Sequence, residues 1–266
     1  MDKDSALFPS IPTSTIRAAR ALYGRGNLYL RLGDRLNQLI SKLDQGLFSE
    51  QLGSNKTAML AVLTIVQYVE NLTDIELAEA IQLRMDLRYA LHLATPSPRL
   101  DPDSLCIFRR RILADPQTQC LFEEIFKIVY PEITSTAMKE EPNIKDVLGS
   151  ICENVVRVSL IDAMLHSMEA LSANHFHWLR QIALPHWYQR YNSSMAASRS
   201  DLFVRKQELS RQDVQGDIQH LLYEVQKSNS PDIMELREIK NLHRMWEQLT
   251  DCKSVKDCNH CINKIQ

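Results

Sequence analysis

Three consecutive arginines, Arg109, Arg110 and Arg111, stand in a stretch where Leu105, Phe108 and Ile112 recur at helical spacing. Guanidinium groups carried on one helix bind phosphate oxygens, or the O6/N7 edge of guanine when the helix enters the major groove. A short helix and a loop precede this one, a helix-turn-helix-like arrangement. The residues alone leave a second reading open. The run is then a solvated helix face that pairs with the stretch 114–146, which holds seven Asp/Glu against three Lys. Arg84, Arg88 and Arg99 are weaker candidates, for phosphate contact. Arg17, Arg20, Arg25, Arg31 and Arg35, in the first helices, read as ordinary surface charge.

Other constellations point away from chemistry. Cys252, Cys258, His260 and Cys261 carry the thiolate and imidazole groups that suit tetrahedral Zn²⁺. The last three are too tightly spaced to bind one ion comfortably, so the segment reads as an unstructured tail with free thiols. His166, His175, His177 and His186 recur around Trp178 and Trp187 and read as partly buried rings packed on aromatics. Asp146 and Asp162 read as solvated helix residues. No Ser/His/Asp arrangement and no glycine-rich phosphate loop is present. No catalytic residue, bound metal or cofactor is therefore expected.

Only 7 glycines occur among 266 residues, and long stretches lack both Gly and Pro. That composition favours helices over a turn-rich β fold. The net charge of −2 argues mildly against a dedicated nucleic-acid binder, but the charge is uneven. Residues 1–45 carry seven Lys/Arg against four Asp, and 84–111 six Arg against three Asp. A local basic face binds phosphate even in a chain near neutrality. The polar N-terminus shows no signal peptide, and the most apolar run, 58–69, is shorter than the roughly 20 residues a membrane span needs. A cytoplasmic location without membrane contact is the expectation.

The elements follow from apolar spacing and caps. Thr13 or Ser14 can cap a helix to about Leu22, and Asn27 a second one carrying Leu28, Leu32, Leu36, Leu39, Ile40 and Leu43. Residues 56–71 are apolar nearly all round and belong at the centre of the core. Thr73-Asp74-Ile75-Glu76 is a capping-box pattern that opens a short helix. A helical stretch over 86–93 follows. Asp103 or Ser104 can cap the arginine helix, and residues 117–130 form another, ended by Pro131. Residues 134–143 read as a hinge. Helical pattern resumes over 144–173, and two helices, about 207–227 and 231–249, close the regular part. The expected fold is all-α: a helical bundle with a helix-turn-helix-like segment (1–133), a second helical region (144–249) and a Cys-rich tail (250–266).

Three blocks carry a family likeness: Arg17-Ala18-Ala19-Arg20 with Gly26-Asn27-Leu28-Tyr29-Leu30-Arg31; the stretch 63–93 with Asn71-Leu72-Thr73-Asp74 and Asp86-Leu87-Arg88-Tyr89-Ala90-Leu91; and 105–113 around the arginines. In this order and spacing, residues 15–130 resemble the InsH-like N-terminal domain of DDE-type insertion-sequence transposases. Beyond the hinge, 147–151 looks like the segment after the first catalytic aspartate of that family. Trp178-Leu179-Arg180, residues 187–191 and residues 242–246 look like its helical insert.

The resemblance implies DNA as partner. It also implies two divalent metals held by three carboxylates, one activating the attacking oxygen and one stabilising the leaving oxygen. Counting back from Val147, the first of those carboxylates would fall at Asn143, and the other two would lie in a core beyond the insert, whereas this sequence stops twenty residues after Trp246. The expectation is a truncated, non-catalytic protein that binds element ends and regulates or inhibits transposition. Two alternatives stand beside it. One is a module that associates with itself or with an intact related transposase; the other is a decaying fragment without a DNA-binding role.

Overall fold

In a computed structural model, which describes residues 7–43, 54–96, 99–135, 143–191 and 209–250, the chain is all-α, with thirteen helices and no strand among those residues. It divides into two compact units, 1–151 and 152–266. The Cys252, Cys258, His260 and Cys261 cluster and most of the expected hinge lie outside the described residues.

The first unit begins with α1 (Thr13–Leu22) and α2 (Leu28–Ile40). Pro12, rather than Thr13 or Ser14, occupies the position before α1, and no side chain caps that helix. Asn27 caps α2 as its type predicts, its side-chain oxygen accepting from the Leu30 N–H at 3.0 Å. Next come α3 (Ser54–Glu70), α4 (Asp74–Leu83) and α5 (Met85–Ala90). Asn71, at φ 53°, ends the run of α3, and the chain turns by 104° into α4. The capping box is complete: the Glu76 N–H donates to the Thr73 hydroxyl (3.2 Å) and the Thr73 N–H to the Glu76 carboxylate (2.8 Å).

Two departures at helix ends concern proline. Helix α6 (Pro102–Ala114) starts earlier than Asp103 or Ser104 would allow, because Pro102 fits the first helical position, where no N–H is needed. Asp101 is the cap instead, accepting from the Asp103 N–H at 3.2 Å. Helix α7 (Pro116–Thr134), capped by Asp115, runs through Pro131 rather than stopping there. Pro131 falls in the last turn, the buried Ile133 anchors that turn, and Ser135 closes it in a left-handed conformation at φ 54°.

Helix α3 is the centre of this unit and packs on α4, α6 and α7. Residues 57, 58 and 60–67 are buried, as the all-round apolar pattern requires. Phe108, Phe122, Phe126, Tyr68 and Tyr130 form a chain of ring contacts between α6, α7 and α3, with Phe126 and Tyr130 stacked at 5.0 Å. Helix α5 lies on α1 and α2. Gly33, inside α2, permits that packing, since a Cβ there would meet the Tyr89 ring at 2.6 Å and its carbonyl at 2.7 Å. Among the described residues no single helix is long and apolar enough to cross a membrane.

Helix α8 (Ile144–Asn174) contains the boundary between the units. The second unit continues with α9 (Phe176–Ile182), α10 (Pro185–Arg190), α11 (Arg211–Ser228), α12 (Pro231–Met234) and α13 (Arg237–Thr250). The single helix expected over 231–249 is broken at Glu235–Leu236. Helix α11 packs on α12 and α13. Buried Asp217 on α11 ties it to α10, accepting from His186 (2.9 Å), Arg190 (2.7 Å) and Tyr191 (2.7 Å).

Candidate nucleic-acid interface

The six arginines singled out in the sequence separate into two groups. Arg109, Arg88 and Arg84 point their guanidinium groups into the protein, while Arg99, Arg110 and Arg111 reach the surface.

Arg109 is fully buried. It makes a two-toothed ion pair with Asp74, Nη1 to Oδ1 and Nη2 to Oδ2, both at 2.7 Å, and Nη1 also donates to the Gln67 oxygen at 3.0 Å. Gln67 in turn donates to Asp74 at 2.6 Å. The network joins α3, α4 and α6 inside the core. Its parallel geometry is the strong form of a charged hydrogen bond. Arg109 therefore presents no face to a phosphate in this fold, because its charge is spent on Asp74.

Arg88 is also buried. Its Nε donates to the Ile81 carbonyl at 2.8 Å and Nη2 to the Gln82 carbonyl, so it closes the C-terminal turn of α4 with a cation. Arg84 is half-buried between Asp86, with Nη2 to Oδ2 at 2.9 Å, and Glu70. Burial opposes its charge, but the hydrogen bonds to Asp86 and Glu70 outweigh that and hold its proton more firmly than usual. Burial, with the neighbouring Glu70, likewise pushes the Tyr29 phenol well up. These three arginines position helices.

The other three face solvent to different degrees. Arg99 is exposed in the loop before α6. Arg110 is half-buried, and Arg111 is 43% exposed, its Nε 4.0 Å from Asp115. The same outward face of α6 carries Ile107, 60% exposed. Arg17, Arg25 and Arg31 are exposed and make no ion pair among the described residues, whereas Arg20 is bound to Asp34 and Tyr89 and Arg35 to Glu132.

The carboxylates and histidines do not converge. Asp146 and Asp162 both lie on α8, sixteen residues apart, which is about 24 Å of helical rise. Asn143 stands just before the same helix, its side-chain oxygen accepting from the Lys145 N–H at 3.0 Å. His166 bonds its own helix at the Asp162 carbonyl, His177 touches Phe176, and His186 is engaged by Asp217. No group of three or more metal-ligating side chains occurs among the described residues.

The sequence pattern concealed Asp74 and Gln67, whose roles depend on a partner 35 or more positions away. It did contain a signal for Ile107, which falls outside the Leu105, Phe108 and Ile112 stripe.

Comparison with known proteins gives no match among curated proteins or solved structures. Residues 26–111, from the turn before α2 through the last arginine of the α6 run, match the family model of a transposase domain (DUF772), consistent with an N-terminal, transposase-derived region.

Proposed function

We propose that this is a transposase-derived DNA-binding protein that attaches to duplex DNA, at the ends of a related element, without cutting it, and so regulates or inhibits transposition. The observation that carries the reading is the match over 26–111, a segment that includes Arg99, Arg110 and Arg111 at the protein surface. Exposed Arg17, Arg25 and Arg31 add cations for phosphate in the same unit. The absence of cutting follows from the place that the resemblance assigns to the first catalytic carboxylate. That place holds the amide of Asn143, at the start of a 31-residue helix rather than on a strand. An amide carries no charge to hold Mg²⁺ against its waters.

The purified chain, mixed with duplexes from element ends and with unrelated duplexes in the presence of Mg²⁺, tests both halves of the reading. The expected result is a mobility shift that weakens with salt and leaves the strands intact. Failure to shift any duplex at low salt overturns the binding, and Mg²⁺-dependent nicks overturn the rest.

A further inference from the structure

The segment that leads into α1 is fastened to the first unit by few groups, and one of them is a histidine. Phe8 is buried, its ring edge-on to that of His92 with centroids 5.9 Å apart. Asn37 of α2 clasps the backbone of the same residue. The Phe8 N–H donates to the Asn37 side-chain oxygen (3.0 Å), and the Asn37 amide donates to the Phe8 carbonyl (2.9 Å). His92 stands in the turn that ends α5, where its own N–H donates to the Tyr89 carbonyl (3.2 Å) and the Leu93 N–H to the Arg88 carbonyl (2.9 Å). The turn holds His92 left-handed, at φ 57°.

Both nitrogens of this buried ring meet the same kind of partner. Nδ1 lies 2.6 Å from the Pro9 carbonyl oxygen, and Nε2 lies 2.9 Å from the Gly33 carbonyl oxygen. A carbonyl oxygen only accepts. Neutral imidazole has one N–H, so it satisfies one of these oxygens and turns a lone pair on the other. Imidazolium has two N–H groups and satisfies both, through charge-assisted bonds that offset its burial. The charged groups on the surrounding elements are engaged elsewhere. Asp34, beside Gly33 on α2, accepts from Arg20 and from the Tyr89 hydroxyl. Arg88 of α5 donates to the end of α4. On α1, Arg17 is exposed, and Thr15 gives the turn a hydroxyl, donated to the Leu93 carbonyl at 2.7 Å. Residues 7–12 and 93–96 carry no charged side chain.

We infer that His92 is a proton-operated latch. Its imidazolium bridges Pro9 of the lead-in to Gly33 of α2, and loss of one ring proton to solvent frees residues 7–11 and withdraws Phe8 from the core. His92 is the one histidine in residues 1–151, and histidine ordinarily changes charge between pH 5 and 8. The charged form favours the fastened segment, so fastening is complete at the lower end of that range and fades as pH rises through it.

Hydrogen exchange at the Phe8 amide of the full chain, divided by the intrinsic rate at each pH, reads how firmly the segment is held. Protection at pH 5.5 should exceed that at pH 8.5 by about tenfold, the order of the cost of one buried polar group left unsatisfied. The ring nitrogen resonances of His92 report the fraction carrying two protons, and their midpoint should coincide with that of the Phe8 protection. His92→Asn suits the left-handed turn and has no proton to lose in this range, so its protection should not vary with pH. Equal wild-type protection at both pH values, protection that rises with pH, or a ring midpoint that does not match overturns the latch. Those readings use the wild-type chain and stand whether or not the variant folds. A His92→Asn chain that keeps the wild-type pH dependence also overturns it, since another group would then be responsible.

Discussion

At the scale of single residues, the arginine run divides by side of the helix. Arg109 stands inside, paired with Asp74 in a site where neither group meets water. Removing one partner leaves the other charge buried and alone, a loss of roughly 3–5 kcal/mol. Arg109→Ala should therefore lower stability by that order in urea unfolding, while Arg111→Ala should stay within about 0.5 kcal/mol of wild type. Equal effects would mean that Arg109 is not held as described. Sequence reasoning grouped the three because neighbours in sequence share type and charge. What separates them is helical phase and an aspartate 35 residues away, which only the packed fold brings together.

Asp217 gives a pH dependence at the same scale. Burial alone would raise its carboxyl, but hydrogen bonds from His186, Tyr191 and Arg190 prevail and hold it below the ordinary carboxylate range. A carboxyl depressed in the folded state stabilises fully above its unfolded value, about 4. That contribution is lost as pH falls through the lower folded value. Thermal unfolding followed by circular dichroism should show wild type losing more stability between pH 7 and pH 3 than Asp217→Asn. An identical loss in both would remove Asp217 from the account.

At the scale of elements, the caps and turns settle where helices begin. The Thr73–Glu76 box, Asn27 at α2 and the all-apolar α3 were legible because each is a local pattern whose physics needs no distant partner. Thr73→Ala removes one side of the box and should cost about 1 kcal/mol in unfolding free energy; no change would mean that α4 starts without it. Less legible were the ends that involve proline. Pro102 moved the start of α6 to Asp101, and the buried Ile133 carried α7 past Pro131, so packing overrode a local stop signal. Gly33, inside α2, is the place where Tyr89 of α5 approaches the backbone.

At the scale of the whole molecule, the chain is near neutral, with a formal net charge of −2, yet its first unit holds cations on the surface. The all-α class was legible from composition and apolar period. The candidate surface was legible as a helix whose Leu105, Phe108 and Ile112 stripe marks the inner side, but not the distant Asp74 that draws Arg109 inward. On the proposed function, DNA phosphates are bound by the surface arginines and not by Arg109. Fluorescence anisotropy of a labelled duplex, titrated with the full chain at several salt concentrations, tests this most directly. Each phosphate contact contributes a slope of about 0.9 to the fall of log affinity with log salt. A linear fall is expected for wild type, with a slope smaller by about 1 to 2 for Arg110→Ala/Arg111→Ala. A slope unchanged by that double substitution, or no binding at low salt, would contradict it.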